Sequence, residues 1–555
     1  MSKVGWQLSE IIFAKLSSLY NFSQRCQIYR RFQEVYETII DLRILSAKVK
    51  GRIGNIMKRI TLTGDTKNER KGNVFSYKLF IKAPHVVSNA FITYIRDNDP
   101  TPKPEVLVGV LYESSRFIID IVLWKFIDTI MNVKNETKEE TISLDPSMTN
   151  WPDYIGKFLG QLADLNFFSF DIEGYLNFII YQFRQHKVGS ACLLTNLLYQ
   201  ITGIQFTDQM EDDAIELKSA EGLPRVIRSL ESTKDLQVIQ RFKNVLINEN
   251  NKFAIRILYY LDSMHSTLNF IDFLQDKSQA AIRLDAIQSA FLSLCEFMES
   301  NDWNPKELVE KYHFTFPSAF HISRGNGNKN YQVILNENGE TMYNDIQSLM
   351  PIQMPVDLFT CFWQYGLKDL HFPEEIFKKK LIFIDKEIKA ATEENKTNYE
   401  LIKMNVQANM DNQKEKIPIL EENFRRISQD WFNEEVNEKV YQKLVQVCII
   451  KRILISQIDA IYSAKFIFLL AHTSKSFCLK TFILEFLRAF HFIIFSATVV
   501  ESNSFGIFIR YILKYIRKRD IEESIHEVLM EKINLLLDRN ETSFTIANTI
   551  NMMNM

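Results

Sequence analysis

The sequence predicts an all-α protein, an elongated α-solenoid built from antiparallel helical hairpins. Three observations predict it. Apolar residues recur at helical spacing almost everywhere, while strand-like alternation is rare. Only 17 Gly and 13 Pro among 555 residues leave little material for tight turns. Hydrophobic residues at 46% and charged ones at 24% are the proportions of a chain that buries a core. A chain of this length exceeds one hydrophobic core and divides into domains or into a stack of small helical units.

Residues 1–42 form an N-terminal helical segment whose apolar run, IIFAKL, is too short for a secretory leader. Residues 43–225 form a middle helical domain. In SSRFIIDIVLWKFIDTIM the side chains of Phe117, Ile121, Trp124 and Ile127 share one helix face. Polar or proline-bearing breaks at 61–73, 97–104, 132–153, 207–224 and 325–341 leave helices short enough to pair as hairpins. Residues 226–340 continue the solenoid. Residues 341–540 form a C-terminal helical domain with a projecting hairpin at 377–430, which is rich in Lys, Glu, Asn and Gln and interrupted by Pro418. Residues 541–555 read as a flexible tail. The most membrane-like stretch, 466–500, is cut by Lys475, Lys480, Glu485 and Arg488. Its 12-residue uncharged remnant, Ala489 to Val500, is too short to span a bilayer and reads as a buried core helix.

A formal net charge of -2 provides no global attraction to nucleic acid or to an anionic membrane. Cys26, Cys192, Cys295, Cys361, Cys448 and Cys478 are scattered without a C-x-x-C pair, which fits buried thiols in a reducing compartment. The nine histidines form no H-E-x-x-H, and neither G-x-S-x-G nor a Walker-type glycine loop occurs. His313 and His321 flank Phe316 and Pro317 in apolar surroundings that favour core or loop roles over metal binding.

Four stretches could carry chemistry. In SQIDAIYSAKFIFLLAH, Ser456 and Asp459 have the S-x-x-D spacing of a helix start, with the serine oxygen accepting from the Asp459 amide and the carboxylate reaching back to the Ser456 amide. A cap of this kind contributes about 1 kcal/mol, so Asp459→Asn is expected to be tolerated by the fold. MEDDAIE places Asp212, Asp213 and Glu216 where a magnesium-dependent helical transferase would need them, against the simpler reading of a solvated acidic loop. VKGRIGNIMKRI spaces Gly51 and Gly54 like the phosphate clamp of a KH domain, although its neighbours read as helix. The surrounding stretch from Arg43 to Lys71 holds nine Lys or Arg against Asp65 and Glu69, a local charge of +7. Within it Lys48, Lys50, Arg52, Lys58 and Arg59 are candidate RNA contacts, against the alternative of a solvated basic helix. No cofactor is implied.

Longer motifs carry a resemblance. QVCIIKRILISQIDAIYSAKFIFLL resembles the C-terminal helical signature of the THO complex subunit 2 family through Gln446, Cys448, Ile449, Arg452, Ser456, Asp459, Ala460, Tyr462, Ala464 and Phe466. SATVVESNSFGIF is similar to the run that follows in the family, through Ser496, Thr498, Glu501, Gly506 and Phe508. Upstream, FTCFWQYGLKDLHFP matches through Phe362, Trp363, Asp369, Leu370 and Pro373, FTFPSAFHISR through Pro317, Ala319, Phe320 and Arg324, and NIMKRITLTG through Met57, Lys58, Arg59 and Thr61.

The resemblance implies a non-enzymatic nuclear scaffold of the THO complex, within the transcription-export assembly TREX. Its implied partners are other THO subunits, a DEAD-box RNA helicase and nascent mRNA, with no membrane. It also implies that the middle domain is HEAT-like and that Arg43 to about Gln200 faces the helicase. Two departures accompany it. Lys451 stands where the family has a proline before Arg452, and the chain reads as a shortened form without the family's extra N-terminal lobes and basic C-terminal tail. From helical hairpins alone, the alternative is a generic α-solenoid adaptor in transport or translation.

Overall fold

The computed structural model describes residues 156, 160, 172–186, 188, 190–206, 226–228, 236–271, 277–298, 303–323, 354–390, 393–432, 437–517, 523–537 and 543–554. The architecture is all-α, with helices packed on helices. The described strands are β1 (Ile204–Phe206) and β2 (Val226–Arg228), which pair in a two-stranded sheet. The chain divides into two compact units. One comprises residues 1–205 and 228–260, the other 206–227 and 261–555. The basic candidates Lys48, Lys50, Arg52, Lys58 and Arg59, the acidic triad Asp212, Asp213 and Glu216, and Gly51 and Gly54 lie outside the described residues.

In the first unit α1 (Ile172–Arg184), α2 (Ser190–Thr202) and α3 (Leu236–Ile247) pack together. Two glycines one turn apart explain how closely α2 is approached. A Cβ on Gly156 would lie 2.8 Å from the Cys192 carbonyl oxygen, and one on Gly160 2.9 Å from that of Asn196, so neither position accepts a side chain without a shift of backbone. α2 ends at Gly203, whose φ of 72° and amide bond to the Tyr199 oxygen form a left-handed helix stop.

The second unit holds α5 (Lys277–Phe297), α6 (Pro305–Glu310), α7 (Phe316–Ser323), α8 (Val356–Gln364), α9 (Leu367–Leu370), α10 (Glu374–Ala390) and α11 (Glu393–Ile427). Next come α12 (Asn437–Lys443), a π-helical segment (Leu444–Ile449), α13 (Ile450–Ile453), α14 (Gln457–Thr473), α15 (Leu479–Ser496), α16 (Val499–Arg517), α17 (Glu523–Leu536) and α18 (Ser543–Asn554). The helix α4 is Phe253–Ile271. One continuous core links α8 to α18 and is dominated by aromatics, among them Phe362, Phe424, Phe466, Phe486 and Phe508.

The π segment has a reason in the side-chain pattern. Buried residues occur in pairs every four positions: Val440 and Tyr441, Leu444 and Val445, Cys448 and Ile449, Arg452 and Ile453. An α-helix turns about 100° per residue, so a four-residue repeat drifts about 40° per step and about 120° over the three steps. Six residues wound with the wider i to i+5 turn lose roughly that angle and keep all four pairs on the core.

Three details depart from the sequence reading. Pro418 lies inside α11 and does not interrupt it. The residue is exposed, on a helix face turned to solvent. The stretch from Ala489 to Val500 is not one core helix: α15 stops at Ser496, α16 starts at Val499, and Phe492 is 73% exposed. The last residues, read as a flexible tail, form α18, which packs on α16 through a core that includes Met552. No helix among the described residues is long and apolar enough to cross a membrane.

Candidate functional site

The sequence signature folds into a buried polar clamp centred on Arg452. α8 buries Leu358, Phe359, Cys361, Phe362 and Trp363, and turns extended at Tyr365. The last carbonyls of any helix lack intrahelical donors. Here Arg452 supplies them: its Nη1 donates to the Phe362 oxygen and its Nη2 to the Tyr365 oxygen at 2.7 Å. A cation at this end also complements the helix dipole. The Tyr462 hydroxyl adds a second bond to the Phe362 oxygen at 2.9 Å, and its ring lies 3.4 Å from the guanidinium carbon. The remaining direction of the guanidinium is used by Nε, which donates to Asp459 Oδ1 at 2.9 Å. Arg452 is 0% and Asp459 2% exposed, so this ion pair is dry.

Asp459 belongs to the start of α14. Ser456 is the N-cap and accepts from the Asp459 amide at 3.2 Å, the arrangement the S-x-x-D spacing predicts. The carboxylate is oriented differently from that expectation. It is drawn to Arg452 through Oδ1 and accepts from the Ser456 hydroxyl at 2.8 Å through Oδ2. Asp459 therefore holds the arginine that grips the end of α8 as well as starting a helix, and the expected tolerance of Asp459→Asn does not follow. Phe466, two turns beyond, packs edge to face on Phe362 at 5.0 Å and on Phe424 of α11 at 5.3 Å.

Glu501 and Gly506 lie apart from the clamp, on α16. Glu501 forms a complete capping box with Thr498: its carboxylate accepts from the Thr498 amide at 2.7 Å, and its amide donates to the Thr498 hydroxyl at 3.1 Å. The same hydroxyl donates to Asp285 of α5 at 2.5 Å. Gly506 is buried on the helix that packs along α14. Burial pushes the Glu501 carboxyl up to about 7, with Asp285 adding to the rise and the Thr498 amide and Lys451 opposing it. Lys451 also helps burial pull His265 of α4 down to about 4. The T-x-x-E spacing that signals this box was in the sequence, as was the four-residue repeat behind the π segment.

The arrangement holds helices together. Among the described residues no group of three His, Cys, Asp or Glu side chains could hold a metal. His321 is buried against Phe291, whereas His313 is exposed and adopts a φ of 59° just after α6. Cys361 and Cys448 have thiols pushed well up by burial, the opposite of what a nucleophile needs.

Comparison with known proteins agrees with the resemblance. Residues 352–543, which contain the whole clamp, match the Tho2 family model, described as "Transcription factor/nuclear export subunit protein 2". The chain is 22% identical over 588 residues to THO complex subunit 2 of Saccharomyces cerevisiae, covering 97% of this chain and 34% of that protein. It is 20% identical over 571 residues to THO complex subunit 2 of Homo sapiens, covering 92% of this chain and 34% of that protein. The chain thus spans about a third of the length of the curated relatives it matches.

Proposed function

On the premise that residues 352–543 form a Tho2-family domain, we propose that this chain is a non-enzymatic scaffold subunit of a THO-like nuclear complex, coupling transcription to mRNP assembly and mRNA export. The observation that carries the reading is similarity to THO complex subunit 2 along 97% of the chain. The clamp supports it in a second way. Its polar residues are buried and spent on one another, so any activity of this domain is exerted by the surfaces it holds in place. The region from Arg43 to about Gln200 is the proposed docking surface for a DEAD-box RNA helicase. Lys48, Lys50, Arg52, Lys58 and Arg59 are the proposed contacts to RNA phosphates. The partners are other THO subunits, with mRNA reached directly or through the mRNP.

The test is affinity purification of the tagged chain from its own cells at moderate salt, followed by mass spectrometry. Recovery of THO subunits together with a DEAD-box helicase is the expected result. A folded chain that brings down neither overturns the proposal. Changing the five basic residues to Ala is expected to lower RNA affinity and flatten its salt dependence, and an unchanged salt slope removes that part alone.

A further inference from the structure

α14 and α16 run side by side in the same direction: Lys465 meets Tyr511, and about one turn further on Phe468 meets Tyr515. Along this seam cations and aromatic rings alternate. The Lys465 ammonium lies 5.7 Å and the Arg510 guanidinium 5.8 Å from the centre of the Tyr511 ring. The rings of Phe468 and Tyr515 stack at 3.9 Å with 7° between their planes, and the His472 ring stands edge-on to Tyr515 at 5.8 Å. Phe468 and Tyr515 are half-buried, and His472 is exposed. Arg510, Lys514 and Arg517 are spaced i, i+4 and i+7, so they share one face of α16 over about 10 Å.

The charge along the seam is of one sign. The carboxylates of the two helices, Asp459 and Glu501, sit at the N-terminal ends, where Asp459 is spent on Arg452 and Glu501 on the Thr498 amide. α18, which packs on α16, has no charged residue. α17 bears Glu527 and Glu531 but meets α16 on another face, where its Leu529 adjoins Ile512 and Ile516. α11 reaches α14 at Phe466, again on another face, and there Arg425 and Arg426 balance Glu421 and Glu422. Lys514 and Arg517 are exposed and enter no ion pair among the described residues. A cation in the last turn suits the helix dipole, which accounts for those two; the effect fades within a turn and does not account for Lys465 and Arg510. Cations beside stacked rings suit a single-stranded nucleic acid, whose phosphates take the cations and whose bases take the rings, whereas an acidic peptide would use the cations alone. We propose that the seam between α14 and α16 binds single-stranded RNA, with Arg510, Lys514 and Arg517 on the phosphates and the Phe468, Tyr515 and His472 rings against a base. This site rests on the reading of mRNA as a partner and is separate from the basic candidates between Lys48 and Arg59.

The test is fluorescence anisotropy of a labelled oligouridine of about 16 nucleotides with the full chain, from about 50 to 200 mM salt. For a single strand each phosphate contact contributes a slope of about -0.7 in log affinity against log salt. Lys514→Gln with Arg517→Gln changes two exposed side chains, so the circular dichroism should be unchanged while the slope flattens by about 1.4. Over that salt range the wild type should then lose about sevenfold more affinity than the variant. Polyglutamate and inorganic polyphosphate of equal charge should displace the RNA poorly, because neither offers a base to the rings. Displacement by either as readily as by unlabelled RNA, an unchanged slope in the variant, or no RNA binding by the folded chain overturns the proposal. Co-purification with THO subunits tests the functional reading on its own: a variant that still recovers them with an unchanged RNA slope refutes this site and leaves that reading standing.

Discussion

Replacing Asp459 with Asn removes one charge from an ion pair in which Arg452 is 0% exposed. The amide keeps the shape of the carboxylate, and Ser456 remains to cap α14, so the change isolates the charge. If Asp459 were only part of a cap, the cost would be about 1 kcal/mol. Leaving a buried guanidinium without its anion costs about 3–5 kcal/mol. Against a typical domain stability of about 5–15 kcal/mol, that is about a fifth or more of the total.

The assay is urea unfolding followed by tryptophan fluorescence, since Trp363 and Trp431 are both buried in the core around the clamp. With a slope of about 2 kcal/mol per molar urea, the midpoint of that transition should fall by roughly 1.5–2.5 M. Arg452→Met should cost as much or more, because the Tyr365 carbonyl loses its side-chain donor and the Phe362 carbonyl one of its two, together with the charge. The double variant should cost clearly less than the sum of the two. A midpoint shift below about 0.5 M for Asp459→Asn, or strict additivity of the pair, would refute the reasoning and reduce Asp459 to a helix start.

Four further outcomes follow from the same geometry. Glu501 has a folded value of about 7, above its ordinary 4.5, so the stabilisation it brings is full below pH 4.5 and is lost as pH rises to 7. His265, lowered to about 4 from 6.5, acts oppositely, losing stability as pH falls through that window. Glu501→Gln, measured by thermal melts from pH 4 to 8, should therefore raise stability at pH 8 and leave only the fall toward low pH; an unchanged profile would contradict the burial argument. Tyr462→Phe should cost about 1 kcal/mol through the lost bond to the Phe362 oxygen, read as a midpoint shift in the same urea titration. Gly160→Val should destabilise the first unit by about 1–3 kcal/mol or more, detectable as earlier proteolysis of that part of the chain, whereas wild-type resistance would show that the helices can separate. Among the described cysteines, Cys478 should react first with a disulfide reagent. Burial raises its thiol, but hydrogen bonds from Thr481 and from the Lys480 amide, with the Lys480 charge, bring it below its ordinary value; Cys361 and Cys448 should stay unlabelled until unfolding.

The sequence by itself determined what is local. Helical periodicity and scarce glycine settled the all-α class, and the S-x-x-D spacing located the start of α14 at Ser456. The T-x-x-E of Thr498 and Glu501 and the four-residue repeat before Arg452 were equally legible, because capping and helix winding depend on residues within about one turn. Only the tertiary structure decided what Asp459 is for. Its partner Arg452 is seven residues away, but the carbonyls that fix the guanidinium are 90 and 87 residues away, on an element no local pattern connects to it. Burial likewise decided that Glu501 is held near 7, and the exposure of its helix face that Pro418 is tolerated. Desolvation and cross-chain hydrogen bonding belong to the packed state: they exist only once distant segments exclude water from the same volume, and no single stretch of sequence encodes that volume.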